Sequence, residues 1–299
     1  MAYRNYLAGE VAENFADGLL SRREALRRLG LLGLSAAAAT TLLSACGGGG
    51  DDEAATTTTG LGFTTTSAPG SGVEGGGELI RFPGLAGEVQ AAWATPENPK
   101  AGVLVIHENR GLTDHFFDLV GRLSREGYAA LSVDLLSRQG GTASLTDPAA
   151  APAALGDAEP EVLLADLEIG LNELARRVPN KKLGAVGFCF GGGMAWNLVQ
   201  AGESRLSAVA PFYGPAPDNP DFSKSRAAVL GVYAEQDDRV NASRERAEAA
   251  LKAAGLTHEV RTFAGAGHAF FNDTGPRYNA AAANEAWAAL LDWFGRHLA

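Results

Sequence analysis

A thiol, a carboxylate and an imidazole, the three groups that together can break an acyl bond, occur along this chain as Cys189, Asp237 and His268, in that order. Cys189 stands in Gly187-Phe188-Cys189-Phe190-Gly191, between the apolar run 183–186 and the helix-like Met194-Ala195-Trp196-Asn197-Leu198. A side chain is thrust out of a strand-to-helix turn only where the residues two before and two after let the chain pack on itself. Both are glycine here. The position also serves the chemistry, because the free N–H groups and the dipole of the following helix lower a thiol's pKa and favour the nucleophilic thiolate. The expected reaction is attack on a carbonyl carbon to give a thioester, which water then resolves.

His268 lies in Gly265-Ala266-Gly267-His268-Ala269-Phe270, past the last expected strand and before the terminal helix, where its ring can reach back to the turn at Cys189. It is the expected proton carrier. His115, His258 and His297 stand in ordinary helix or strand contexts and read as packing or surface residues, whereas His107 ends a strand beside the site and is expected to line it. Asp237 follows the run 229–236, where a carboxylate can hold the histidine in its useful tautomer. The adjacent Asp238 offers the same group, and the reading favours Asp237 without excluding its neighbour. The developing oxyanion is expected to meet the backbone N–H groups of Phe190 and Asn109.

Strands alternating with helices must position these groups. Residues 79–82 and 89–93 have strand character with a turn between them, predicting a first hairpin, and 102–107 is a continuous apolar run of the kind a strand buried on both faces needs. Helices are predicted over 114–123, 162–178, 242–254 and 279–298, and strands over 128–133, 182–187, 206–212, 227–234 and 259–263. The stretch 137–160, rich in Ala, Pro and Gly, is expected to be a loop lining the site. The pattern implies an α/β fold: a mostly parallel, doubly wound sheet with helices on both faces and its site at the carboxyl ends of the strands. Cys189, Asp237, His268 and Glu108 all fall at such ends. There is no internal repeat and no cysteine and histidine spacing that suggests a metal.

The formal net charge of -10 over 299 residues argues against a nucleic-acid surface, which needs clustered Lys and Arg. The two cysteines have such different contexts that a disulfide between them is not expected. Cys46 closes Leu43-Ser44-Ala45-Cys46, which resembles a lipoprotein processing site. Ahead of it come Ser21-Arg22-Arg23-Glu24-Ala25-Leu26, resembling a twin-arginine export signal, and the apolar stretch 29–45, which is short and weakly apolar for a membrane span. Residues 1–46 are therefore expected to be an export signal with Cys46 lipidated, enough for lasting attachment when two or more acyl chains are added. Residues 47–77, almost all Gly, Thr, Ala, Asp and Ser, are expected to be a flexible tether, because they offer little to bury against the entropy of ordering them. Residues 78–299 are the expected catalytic domain.

The motifs His107-Glu108-Asn109-Arg110-Gly111, Asp134-Leu135-Leu136-Ser137-Arg138-Gln139, Gly187 to Gly192, Phe212-Tyr213-Gly214, Gln236-Asp237 and Ala266-Gly267-His268-Ala269-Phe270 together resemble the dienelactone hydrolase family of α/β-hydrolases, over residues 78–299. The resemblance implies an α/β-hydrolase fold and a triad of Cys189, Asp237 and His268. It makes Glu108 the acidic partner that holds the resting cysteine until substrate displaces it, and places Tyr213 near the substrate. It also implies two arginines that clamp a substrate carboxylate, but Asn272 stands four residues after the histidine and the loop 140–160 has no arginine. Arg110, expected to line the substrate space, and Arg277 are the available substitutes. Without a clamp, burying a carboxylate is costly, so a lactone or activated ester other than the dienelactone itself is the expected substrate.

The expectation is thus an exported hydrolase, lipid-anchored at the outer face of the bacterial cytoplasmic membrane or else periplasmic or secreted. It would need no cofactor and would act on a small-molecule ester or lactone. A thioesterase or general carboxylesterase on the same triad is one alternative, and a surface lipoprotein that only binds a ligand is another.

Overall fold

The computed structural model describes residues 2–45 and 75–299. Cys46 and most of the tether expected over 47–77 lie outside the described residues. The chain begins with three helices, α1 (Ala2–Ala16), α2 (Arg22–Leu31) and α3 (Ala36–Ala45). Then come the strands β1 (Glu78–Gly84), β2 (Gly87–Ala94) and β3 (Gly102–Ile106), helix α4 (Asp114–Arg125) and strand β4 (Ala129–Val133). Three short 3-10 turns within 137–150 lead to α5 (Ala151–Asp157) and α6 (Pro160–Arg177), followed by β5 (Leu183–Phe188), α7 (Phe190–Ala201), β6 (Leu206–Phe212) and β7 (Ala228–Gln236). The chain closes with α8 (Asp238–Asn241), α9 (Arg244–Ala253), β8 (His258–Gly267) and α10 (Ala280–His297).

The strands form one sheet in the order β1-β2-β4-β3-β5-β6-β7-β8. β1 with β2 and β2 with β4 run antiparallel, the former being the hairpin expected near the start of the domain, and every other pair is parallel. All residues of β3, β4 and β5 are buried, as their continuous apolar runs require once helices cover the sheet. Helix α4 packs against β2 and β4, α6 against β3 and β4, α7 against β5 and β6, and α10 against β6, β7 and β8. The α/β-hydrolase architecture read from the alternation is the one observed.

The strand order decides where chemistry can happen. From β3 the chain crosses to β4 on one side, and β5 returns to the other side of β3, so the loops leaving β3 and β5 diverge and open a crevice at their carboxyl ends. The register aligns these ends: Ile106 pairs with Gly187, Phe188 with Phe212 and Gln236 with Gly267.

Residues 2–45 fold onto this domain. Leu7, Ala8, Val11 and Ala12 of α1, Ala25 and Leu29 of α2, and Ala39 and Leu43 of α3 are buried, and α1 packs against α2, α3 and α5. The apolar stretch expected over 29–45 is divided, because α2 ends at Leu31 and Gly33 turns the chain at φ 79° before α3 begins. Among the described residues no helix is long and apolar enough to cross a membrane. Arg22 and Arg23 are exposed at the start of α2, which Ser21 caps by accepting from the Glu24 N–H.

Candidate active site

Cys189 occupies the turn from β5 into α7 with φ 55° and ψ -118°, a conformation that costs a non-glycine residue roughly 1–3 kcal/mol and persists only where its surroundings impose it. The surroundings are the flanking glycines. A Cβ on Gly187 would lie 2.0 Å from the Gly191 carbonyl oxygen, and one on Gly191 would lie 2.3 Å from that of Ile106. Those are backbone atoms that cannot swing aside. Gly191→Ala is expected to lower stability by about 1–3 kcal/mol, read from urea unfolding, and to lower turnover with it. The turn is pinned by the Cys189 N–H donating to the Phe212 carbonyl at 3.0 Å and by the Gly193 N–H donating to that of Cys189 at 3.1 Å.

Two further strand ends bring the rest. His268, directly after β8, donates from Nδ1 to Asp237 Oδ2 at 2.6 Å. Asp237 is fully buried, its Oδ1 accepting from the Val240 N–H at 3.2 Å to cap α8, whereas Asp238 faces solvent. Burial and the bond together distinguish the two neighbours. Backbone strain concentrates here as well, with Tyr213 at φ 35° and Ala269 at φ 60°. Cys189 and His268 are each only 3% exposed.

Glu108 does not hold the thiol. Its Oε1 accepts from the Tyr213 hydroxyl at 3.3 Å and its Oε2 from Asn272 Nδ2 at 2.8 Å, so the asparagine in the place of the second expected arginine serves to fix this carboxylate. His107 does not line the substrate space either. Its ring is fully buried with both nitrogens engaged, Nδ1 with the Glu108 carbonyl at 2.7 Å and Nε2 accepting from the Leu135 N–H at 3.0 Å. That pattern makes it a neutral post between the loops after β3 and β4, and burial lowers its pKa in the same sense. Arg110 and Asn109 border a cavity of about 470 Å³, together with Asp147, Pro148 and Pro152 from the loop expected to reach the site. Arg277 is engaged by the amino-terminal segment, donating to Asn14 at 3.0 Å and to Asp17 at 3.1 Å.

The thiol's partner comes from α1. Both Glu10 oxygens lie 3.4 Å from Cys189 Sγ, and His268 Nε2 lies 2.7 Å from Glu10 Oε1, an ionic contact with the ring N–H off the line to the oxygen. Tyr6 donates to Glu10 at 2.8 Å with its hydroxyl 3.5 Å from the sulfur, Asn109 Nδ2 bonds the other Glu10 oxygen, and Arg239 donates to Glu10 at 2.9 Å. None of Tyr6, Glu10 or Arg239 stands out as a site residue by motif. The available signal was the helical spacing of Tyr3, Leu7, Glu10, Asn14 and Asp17, which puts aromatic, apolar and acidic groups on one face of a segment otherwise read as the front of an export signal.

These neighbours set the charge state. Burial, with the Glu10 carboxylate adding to it, pushes the Cys189 thiol up to about 11 against an ordinary 9.0, although His268 pulls the other way. Burial opposes a charge on His268, but the carboxylates of Glu10 and Asp237 outweigh it and raise the imidazole well above its usual range. Burial likewise opposes a charged Glu10, and His268 and Arg239 overcome it, holding the carboxyl well below the usual range. The resting pair is a neutral thiol beside an imidazolium. In this protein the alkylation rate of Cys189 is expected to rise with a midpoint near 11 rather than 9, measured with iodoacetamide across pH. The same shift makes stability fall as pH climbs from about 9 through 11, because the folded thiol keeps a proton that the unfolded one has released. The donor atoms of Glu10, Cys189 and His268 lie within 4.8 Å of one another, a spacing that would also suit a divalent metal, but the imidazolium–carboxylate pairing already balances these charges.

The model of the dienelactone hydrolase family matches residues 89–298. A candidate carboxymethylenebutenolidase of Saccharolobus solfataricus is 31% identical over 244 residues, 70% of this chain and 94% of its own. One of Escherichia coli K12 is 29% identical over 253 residues, covering 79% of this chain and 92% of its own. Among solved structures, a candidate dienelactone hydrolase of Klebsiella pneumoniae superposes with a TM-score of 0.66 at 29% identity, over 73% of this chain and 98% of that one.

Proposed function

Because this chain belongs to the dienelactone hydrolase family, whose members open lactones and related esters, we propose that it does so through a thioester on Cys189, with Asp237 and His268 completing the triad. The observation that carries this reading is a sulfur held at a strained strand-to-helix turn, on the same rim as an imidazole that a fully buried aspartate orients at 2.6 Å. The substrate carbonyl oxygen would sit against the backbone N–H groups of Phe190 and Asn109, donors that need no reorganisation as the oxygen takes up charge. The sulfur adds to the carbonyl carbon, the thiol proton passes to His268, and collapse expels the ring oxygen, which recovers that proton. His268, again neutral, draws a proton from water as water attacks the thioester, and collapse expels the Cys189 sulfur, which recovers that proton from His268 as the acid leaves. Asp237 stabilises the imidazolium at each stage without taking its proton.

The direct test is to trap the intermediate. Incubation with p-nitrophenyl acetate followed by an acid quench should leave one acetyl group on the peptide containing Cys189, seen by mass spectrometry. Hydrolysis with no acyl group ever on that peptide would remove the covalent route.

The cellular setting is part of the same proposal: export by a twin-arginine route and lipidation at Cys46. It is supported by the order of arginines, apolar stretch and cysteine, and by the exposure of Arg22 and Arg23 to a recognising partner. A twin-arginine route carries folded cargo, which suits an amino-terminal segment already seated on its domain. The mass of the mature amino terminus distinguishes a lipidated Cys46 from simple cleavage.

A further inference from the structure

The mechanism above gives no role to α1, yet α1 covers the groups it uses. A substrate acyl group must come within bonding distance of Cys189 Sγ. That ground is taken by the Glu10 carboxylate, with both oxygens 3.4 Å from the sulfur and one 2.7 Å from His268 Nε2. The occupying group is a carboxylic acid, the same functional group that ester hydrolysis leaves behind. Above it, Tyr6 closes the approach with its hydroxyl on Glu10 and its ring under the Arg239 guanidinium, 4.4 Å from centroid to carbon. Beside it, the Tyr3 ring packs 5.1 Å from that of Phe190, the residue whose N–H should receive the oxyanion, and the Tyr3 hydroxyl bonds Asn197.

The seating of α1 is built rather than incidental. On the side facing the site, two acids of α1, Glu10 and Glu13, meet Arg239 of the catalytic domain with donor distances of 2.9 and 3.1 Å, and Asp17, just past the end of α1, meets Arg277. Arg4 pairs with Asp157 at the end of α5. Leu7, Ala8, Val11 and Ala12 are buried beneath the helix. Seated this way, α1 also sets the wrong protonation for catalysis, a neutral thiol facing an imidazolium that has no vacancy for the thiol proton.

We infer that α1 is an intramolecular inhibitor that holds Glu10 in place of the substrate acyl group, so that turnover is suppressed while α1 is seated and rises when α1 is displaced or removed. This rests on Cys189 being the nucleophile. Processing at Cys46 would cut α1 away from the catalytic domain, tying the onset of activity to the maturation of the protein.

The test uses the full chain in two assays, carbamidomethylation of Cys189 by iodoacetamide near neutral pH and hydrolysis of p-nitrophenyl acetate. Glu10→Ala, which removes the carboxylate from the sulfur, and Leu7→Asp, which places a charge beneath α1, are each expected to raise both rates by about tenfold to a hundredfold, the scale of losing one buried charged hydrogen-bond set. Glu10→Gln keeps the side-chain size and should raise both by less, so a folding failure of Leu7→Asp does not remove the test. Unchanged rates in Glu10→Ala and Glu10→Gln would overturn the inference. Faster alkylation with lower turnover would overturn it too, because Glu10 would then belong to the catalytic machinery. Faster alkylation with no turnover in any variant would support shielding by α1 while refuting the triad itself.

Discussion

Cys189→Ala is expected to lower kcat/KM on a small aryl ester by about a thousandfold or more, with the fold intact. The residue supplies the only bond to the acyl group in the proposed route, so without it what remains is the contribution of the oxyanion donors and of binding. Alanine still fits the turn, because its Cβ is already accommodated at φ 55° between Gly187 and Gly191. Far-UV circular dichroism and the urea midpoint should therefore stay close to those of the parent. Activity within tenfold of the parent would mean that another group attacks the carbonyl.

Asp237→Asn is the sharper test of how the imidazole is held. The carboxylate accepts the Nδ1 proton of His268 at 2.6 Å, leaving Nε2 to act as the base once the ring is neutral. An amide in the same place can instead present its N–H to Nδ1, which puts the ring in the other tautomer and removes the buried charge that balances an imidazolium from the Nδ1 side. A loss of roughly a thousandfold to ten-thousandfold in kcat is expected, with little change in KM. Stability should suffer less, because an asparagine oxygen can still accept from the Val240 N–H and cap α8. Asp238→Asn, altering an exposed neighbour, should leave kcat within about twofold, since surface substitutions away from special contacts change little.

Most of the fold was legible because its causes are local. Strands covered on both faces must be continuous apolar runs, and Gly102–Ile106 and Leu183–Phe188 are. The turn at Cys189 was readable for the same reason, since the spacing of Gly187 and Gly191 answers a collision between atoms only a few residues apart. Choosing Asp237 over Asp238 needed burial, which no pattern of adjacent acids reveals. Glu108 and His107 carry groups suited to the roles expected of them. Their bonds to Asn272, Tyr213 and the Leu135 N–H join separate loops and could not be inferred from spacing. Glu10 was the hardest to see. It reaches the thiol from a segment far away in the sequence, and its composition fits an export signal as readily as a helix on an active site.

The strand order carries a consequence for how the molecule comes into being. The sulfur leaves β5, the aspartate β7 and the histidine β8, while Asn109, the proposed oxyanion donor, follows β3, so each group belongs to a different parallel crossover. Parallel pairings of this kind close long loops, which makes them slow steps in folding, and a partly assembled sheet would carry the sulfur without the imidazole. Under the proposed mechanism a chain cannot turn over esters until its last strand has docked, and in refolding of the Glu10→Ala chain reactivity should emerge together with the final burst of native structure, not before it.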